Sequence, residues 1–250
     1  MPIFFTGVYM SVKSKFKMFI PSFSFFELAL WIGSLFVISI MFIFLPEKNC
    51  FSLFATLTGV TSLILVAKGN VIGHFIGLIF DIIYAVVSFK FRYYGEMITY
   101  MGMAAPASLV ASIIWLKNMN VKGKSEVRME HMTVKKFILS SVFTIFVTIA
   151  FYFMLRAFNT KNLAISTFSV TTSFFAASFS IMRLPYYAIA YCANDIVLII
   201  MWTMASKENP GYIPMIFCFV IFLANDIYGY INWKKIRAEQ ESKIVTAVAI

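Results

Sequence analysis

The sequence predicts an all-α integral membrane protein of eight transmembrane helices, in which one N-terminal helix precedes a 3+1+3 core of parallel repeats. Three observations lead there. Of 250 residues, 61% are hydrophobic and 13% charged, with a mean hydropathy of +0.85, which leaves too little polar surface to cover a soluble domain. At about 20 residues per span and with short loops, the length holds seven or eight spans and no extramembrane catalytic domain. Finally, the tetrad Ala-Asn-Asp-Ile occurs twice inside apolar stretches, at Ala193–Ile196 and Ala224–Ile227. Amide and carboxylate groups are costly in hydrocarbon unless they are partnered or face a cavity, so their recurrence at membrane depth points to a polar pocket inside a helical bundle.

The expected spans are Phe26 to Leu45, Phe51 to Ala67, Val71 to Phe89, Tyr94 to Leu116, Phe137 to Leu155, Leu163 to Met182, Pro185 to Ala205 and Tyr212 to Asn232. Several mix Gly, Ser and Thr with large aromatics, as closely packed bundle helices do. Residues 1–25 read as a cytoplasmic segment. There Lys13, Lys15 and Lys17 interleave with apolar residues and no small-residue cleavage site follows, so a short helix on the inner membrane surface is expected rather than a cleaved leader. Residues 26–45 form the extra helix, 51–116 the first three-helix unit, 137–155 a linking helix and 163–233 the second unit. The polar segment 117–136, with Lys122, Lys124, Glu126, Arg128, Glu130 and His131, reads as the main cytoplasmic loop and 234–250 as a cytoplasmic tail.

With both ends inside, this topology puts 15 of the 21 Lys and Arg residues on the cytoplasmic side and six outside, which is the positive-inside bias of an even span count. The net charge of +10 is thereby explained by orientation, and no nucleic-acid partner is expected. Cys50, Cys192 and Cys218 lack any paired spacing and read as small apolar fillers.

The two three-helix groups look related. Ala111, Trp115 and Lys117 close the fourth span much as Gly229, Trp233 and Lys234 close the eighth. Aligning the tryptophans sets Ala107 and Ser108 opposite Asn225 and Asp226, an offset of 118, while Asp81 falls opposite Asp195 at 114. With one helix between the units, the second copy enters from the same side as the first, a parallel repeat whose interface is the usual place for a substrate path. The competing explanation is that a small residue, three apolar residues, Trp and Lys are a common interfacial helix ending.

Tyr187, Tyr191 and Asn194 share one helical face. Rings beside an amide suit a flat heteroaromatic ligand with hydrogen-bonding edges; an interfacial tyrosine belt with Asn194 bonded to a neighbouring helix fits the pattern equally. Ser108 and Asn225 are expected across the same cavity. Asp195 and Asp226 each follow an asparagine, and successive helical residues point about 100° apart, so Asp81, Asp195 and Asp226 read as groups that pair helices or support the pocket rather than as ligands. His74 and His131 lie far apart without acidic partners at ligand spacing, so no metal site is expected. The chain contains no Walker-type loop, nucleophile elbow or CxxC, so a transporter is favoured over a membrane enzyme.

The stretch "LTGVTSLILVAKGNVIGHFIGLIFDIIYAVVSF", then "YYGEMITY" from Tyr93, Pro106 with Trp115, and the closing "LANDIYGYINWKK" resemble the nicotinamide riboside transporter (PnuC) family over roughly residues 54–235. The resemblance implies a bacterial plasma (inner) membrane protein with a 3+1+3 core like that of the SWEET sugar transporters. It implies facilitated diffusion of a non-phosphorylated vitamin or nucleoside, trapped by a cytosolic kinase, with no cofactor and with room for a homo-oligomer. It also marks departures. Where the family carries Trp-x-x-Trp seven and four residues before an asparagine, this chain has Tyr187 and Ala190 before Asn194. The glutamine expected two residues after the fourth-span proline is Ser108, and Asn225 matches a position commonly polar in the family. A wider, less aromatic pocket makes a deoxyribonucleoside, thiamine or riboflavin, carried by relatives of the family, a rival to nicotinamide riboside. A non-transporting sensor and proton-coupled transport through Asp195 or Asp226 are the alternatives of mechanism.

Overall fold

Each helix boundary has a local cause. In a computed structural model of the chain, which describes residues 21–44, 50–90, 94–119, 126–160, 162–208 and 213–248, α1 (Phe25–Ile43) begins at a capping box. Ser24 accepts from the Glu27 amide while the Glu27 carboxylate accepts from the Ser24 amide. The hairpin of α2 (Cys50–Ala67) and α3 (Val71–Lys90) turns at Gly69, whose φ of 66° suits glycine. Gly73 lets the pair close: a Cβ there would lie 2.6 Å from the Val66 backbone nitrogen.

The fourth helix, α4 (Tyr94–Lys117), is α-helical over Tyr94–Thr99 and Ala105–Lys117 and π-helical over Tyr100–Ala104. Pro106 explains the interruption. It has no N–H for the carbonyl one turn back and its ring crowds that carbonyl, so the backbone widens just before it. Helix α5 (Val134–Ala157) starts at Thr133, which caps the Lys136 amide. Then come α6 (Leu163–Ile181), α7 (Tyr187–Glu208) and α8 (Ile213–Val248).

Seven of these helices are long and apolar enough to cross a membrane; α2 contributes the shorter apolar stretch Leu53–Ala67. The described residues contain no strand, only isolated bridges at Asn70–Glu126 and Met119–Val127. Two helices run beyond their expected spans. Residues 234–248 of the segment expected as a cytoplasmic tail continue α8 as helix to Val248, and 249–250 lie outside the described residues. Its extension is rich in helix-forming Lys, Arg, Glu, Gln and Ala, with an Arg237–Glu241 pair at 2.7 Å one turn apart. Helix α5 also begins three residues before Phe137, at its Thr133 cap. The surface helix expected before residue 21, with Lys13, Lys15 and Lys17, lies outside the described residues, as do Lys122 and Lys124 of the loop.

Helix α2 packs on α3, α3 on α4, α6 on α7 and α7 on α8; the cross-pairs are α4 with α6 and α8 with α2, while α5 leans on α6 and α1 on α2. The α2–α3 and α6–α7 turns have the same internal bonding. Gly69 N–H donates to Val66 O, as Arg183 N–H does to Ser180 O; Asn70 donates to Leu65, as Leu184 does to Phe179; Gly73 donates to Asn70, as Tyr187 does to Leu184. Each residue of one set lies 114 positions from its counterpart. Arg183, with φ 56°, holds the left-handed conformation that Gly69 has. Cross-links between the halves match too: Trp115 Nε1 donates to Ser180 O and Trp233 Nε1 to Val66 O, both at 2.9 Å.

The loop before α5 ties these turns together. Val127 N–H donates to Gly69 O and Glu130 N–H to Arg183 O, while Gln240 of α8 bonds the Val127 carbonyl and the Met129 amide at 3.0 Å each. Arg183 adds 2.8 Å bonds to the Arg128 carbonyl and the Glu130 carboxylate. Partial burial alone would raise the Glu130 carboxyl, but the hydrogen bond and charge of Lys136 and the Arg183 guanidinium outweigh it and hold the group below the usual carboxylate value.

Candidate substrate cavity

Between the two helix groups lies a cavity of about 140 Å³, roughly ten times the space one water needs. Its walls combine aromatics (Phe80, Tyr100, Tyr187, Tyr191, Phe219, Phe222), small residues (Gly59, Gly77, Ala107, Ala111) and hydroxyls (Ser62, Thr99, Ser108, Ser169, Ser173, Ser180). Among the described residues four carboxyl groups also line it, Asp81, Glu96, Asp195 and Asp226, and no Lys or Arg does. Behind the wall residues His74 and Tyr187 pack the buried Trp115 and Trp233, with ring centroids 5.3 Å apart, His74 lying 4.3 Å from Trp115 and Tyr187 4.6 Å from Trp233. His74 faces Ser180 Oγ at 3.1 Å.

Gly229 allows α8 to reach this layer, since a Cβ there would lie 3.2 Å from the Tyr187 hydroxyl and 3.4 Å from Ala67. The π-helical turn of α4 places Tyr100, Met103 and Ala104 on the cavity wall; widened turns recur at such sites because they re-aim side chains without ending the helix.

Ser108, Tyr187, Tyr191 and Asn194 all line the cavity. Tyr187 is buried beside Trp233 rather than set in an interfacial belt. Asn194 both faces the cavity and joins helices, its Oδ1 accepting from Thr172 Oγ1 of α6 at 2.8 Å. That bond engages the Asn194 oxygen and not its amide N–H₂. Asn225 is not on the wall: its Nδ2 donates to Ile221 O at 2.9 Å and reaches Ser34 Oγ of α1 at 3.5 Å. The residue opposite Ser108 is Asp226, as the 118 offset implies and as the pairing of Ser108 with Asn225 missed by one position.

The three aspartates expected to pair helices or support the pocket each contact a neighbouring helix, Asp195 of α7 and Asp226 of α8 through one another's side chains. Asp81 does pair, accepting from Ser108 Oγ at 2.6 Å, and it also lines the cavity, as do Asp195 and Asp226. Sequence reasoning passed over Glu96, although a lone carboxylate within a span was itself the signal. It also passed over Tyr100, whose place on the wall depends on the π-helical turn.

Outside the cavity, α1 is anchored by Glu27, which receives Lys68 Nζ at 2.6 Å and the Tyr228 hydroxyl, and by Trp31 Nε1 on Thr61 Oγ1 at 3.2 Å.

A cavity lined by aromatic rings, hydroxyls and carboxyl groups and surrounded by membrane-spanning helices is the arrangement of a carrier of small molecules. A sequence model of the nicotinamide mononucleotide transporter family matches residues 49–235, and the chain belongs to that family; it is a multi-pass membrane transporter, not an enzyme. Among its relatives are two proteins named nicotinamide riboside transporter PnuC. One, from Neisseria mucosa, is 27% identical over 202 residues, 79% of this chain and 76% of the relative. The other, from Haemophilus influenzae, is 25% identical over 230 residues, 91% and 98%. A crystal structure described as that of the vitamin B3 transporter PnuC superposes with a TM-score of 0.78 at 25% identity, covering 92% of this chain and 99% of that one.

Proposed function

We propose that this protein carries nicotinamide riboside down its concentration gradient, without cofactor or coupled ion, and that a cytosolic kinase traps the product by phosphorylation. The family's description names the mononucleotide, whereas the relatives are named for the riboside; the two ligands differ by a phosphate. The observation that carries the choice is the absence of Lys and Arg from the described cavity wall, where four carboxyl groups stand instead. A phosphate brings between −1 and −2 charges, and each like-charge pair at 4 Å costs about 4 kcal/mol at an effective dielectric of 20. The Asn194 amide, with Thr172 holding its oxygen, suits a carboxamide edge, and Tyr191 and Tyr100 offer ring faces.

The architecture we propose is one N-terminal helix, α1, and two three-helix units, α2–α4 and α6–α8, joined by α5 and related by a pseudo-two-fold axis along the membrane normal. The matched turn hydrogen bonds and reciprocal tryptophan bonds support it. Both termini are cytoplasmic in the inner membrane of a bacterium, in keeping with the distribution of Lys and Arg. Ser108 and Ala190 stand where bulkier residues are expected, which favours a deoxyribonucleoside as the second reading. Thermal unfolding of the detergent-purified protein against nicotinamide riboside, nicotinamide mononucleotide, thymidine, thiamine and riboflavin ranks them, since a ligand at 100 times its Kd stabilises by about 2.7 kcal/mol. A shift with the riboside and none with the mononucleotide is expected; the reverse order overturns the reading.

A further inference from the structure

Asp195 and Asp226 meet side by side in the cavity wall. Asp195 is 3% exposed, and its Oδ2 receives no donor among the described residues. The repeat offsets give the arrangement a meaning. Asp195 is the counterpart of Asp81 at 114, and Asp226 the counterpart of Ser108 at 118. In the first unit the Ser108 hydroxyl donates to the Asp81 carboxylate. In the second unit the position that should supply the donor holds another carboxyl group, so the pair lacks a positive partner of its own. Such a pair is expensive to bury, and a polar group kept at that cost within a span is expected to serve a ligand.

We infer that Asp195 and Asp226 form a subsite for fixed positive charge, so that the protein selects heteroaromatics quaternised at a ring nitrogen, pyridinium or thiazolium, over neutral nucleosides. This rests on the transport reading above and assigns that reading's site its charge selectivity. Nicotinamide joined to ribose through its ring nitrogen is a pyridinium cation. Placed between the carboxylates, it supplies the charge they lack, and Tyr100 and Tyr191 on the same wall give cation–π faces. A bound metal ion is disfavoured as the occupant, because no three His, Cys, Asp or Glu residues converge in ligating geometry among the described residues.

The test compares a cation with its near-isosteric neutral form. Calorimetry on the purified full chain measures Kd for nicotinamide riboside, for 1,4-dihydronicotinamide riboside, kept anaerobic, and for thymidine. Wild type is expected to bind the pyridinium at least tenfold more tightly than the dihydropyridine. Asp226→Ser, which gives the second unit the donor that the first has, and Asp226→Asn should each bring that ratio to within threefold of one. A wild-type ratio near one overturns the charge subsite without any variant having to fold, and so does a ratio preserved in both variants. Binding of thymidine or of the dihydro form with no preference for the cation overturns this inference and leaves the carrier reading intact, whereas binding of none of the three overturns both.

Discussion

Replacing Asn194 with leucine keeps the branching of the side chain and removes its hydrogen-bonding groups. Asn194 lies on the cavity wall, 5% exposed, with its Oδ1 fixed by Thr172 at 2.8 Å. The loss to the protein itself is small, because the Thr172 hydroxyl retains the carbonyls of Phe168 at 3.1 Å and Ser169 at 3.0 Å; a destabilisation below about 1 kcal/mol is expected. The loss to the ligand is larger. A buried carboxamide left without its donor costs about 1–3 kcal/mol, which is roughly a 5- to 150-fold rise in Kd. Thr172→Val leaves the amide present but free to rotate, so it should fall between wild type and Asn194→Leu. Calorimetric Kd, liposome uptake and thermal midpoint measured together decide the matter. Unchanged Kd in Asn194→Leu, or a loss matched by an equal collapse of thermal stability, would refute the role of Asn194 as a ligand-orienting group.

Ser108→Gln should raise affinity for nicotinamide riboside and lower it for a bulkier nucleoside, because the longer amide both pairs with the carboxamide and fills space; parallel changes in the two calorimetric constants would sink the idea. Gly73→Ala puts a methyl 2.6 Å from the Val66 nitrogen and should destabilise by about 1–3 kcal/mol, read as a drop in thermal midpoint. Acidification should release the loop before α5: Glu130 titrates below its ordinary value of 4.5 because of Lys136 and Arg183, so its contribution is present above that pH and fades as pH falls through the lowered value. Its carboxyl is 40% exposed, so the gain is at most about 1 kcal/mol, and hydrogen exchange at Val127 and Met129 in wild type and Arg183→Gln would show whether it exists.

Helix positions were legible in the sequence because apolar runs of span length have few alternatives in a chain with 13% charged residues. The residues sharing the Tyr187 face were legible for the same geometric reason, since i, i+4 and i+7 fall together on any α-helix. Asn225 was misplaced by its neighbour. One residue turns the side chain by about 100°, and only packing against Ser34 of α1 selects which member of Asn225–Asp226 faces inward. The reach of α8 past Trp233 was hidden because charged residues read as tail until Gln240 is seen bonding the loop backbone. Arg183 looked like a topological charge, and its clamp on Glu130 depends on residues 53 positions away. Glu96 was legible as a lone carboxylate within a span and was passed over, whereas Tyr100 reaches the wall on the Pro106-induced π-helical turn, whose position no apolar periodicity records.

Solute counterflow in proteoliposomes tests the carrier account most directly. Vesicles loaded with unlabelled nicotinamide riboside and diluted into trace labelled riboside, with no imposed ion or pH gradient, should take up label transiently above equilibrium and then lose it, and Asn194→Leu vesicles should do so far more weakly. Binding of the riboside without counterflow, or uptake that appears only under an imposed proton gradient, would contradict a facilitated carrier.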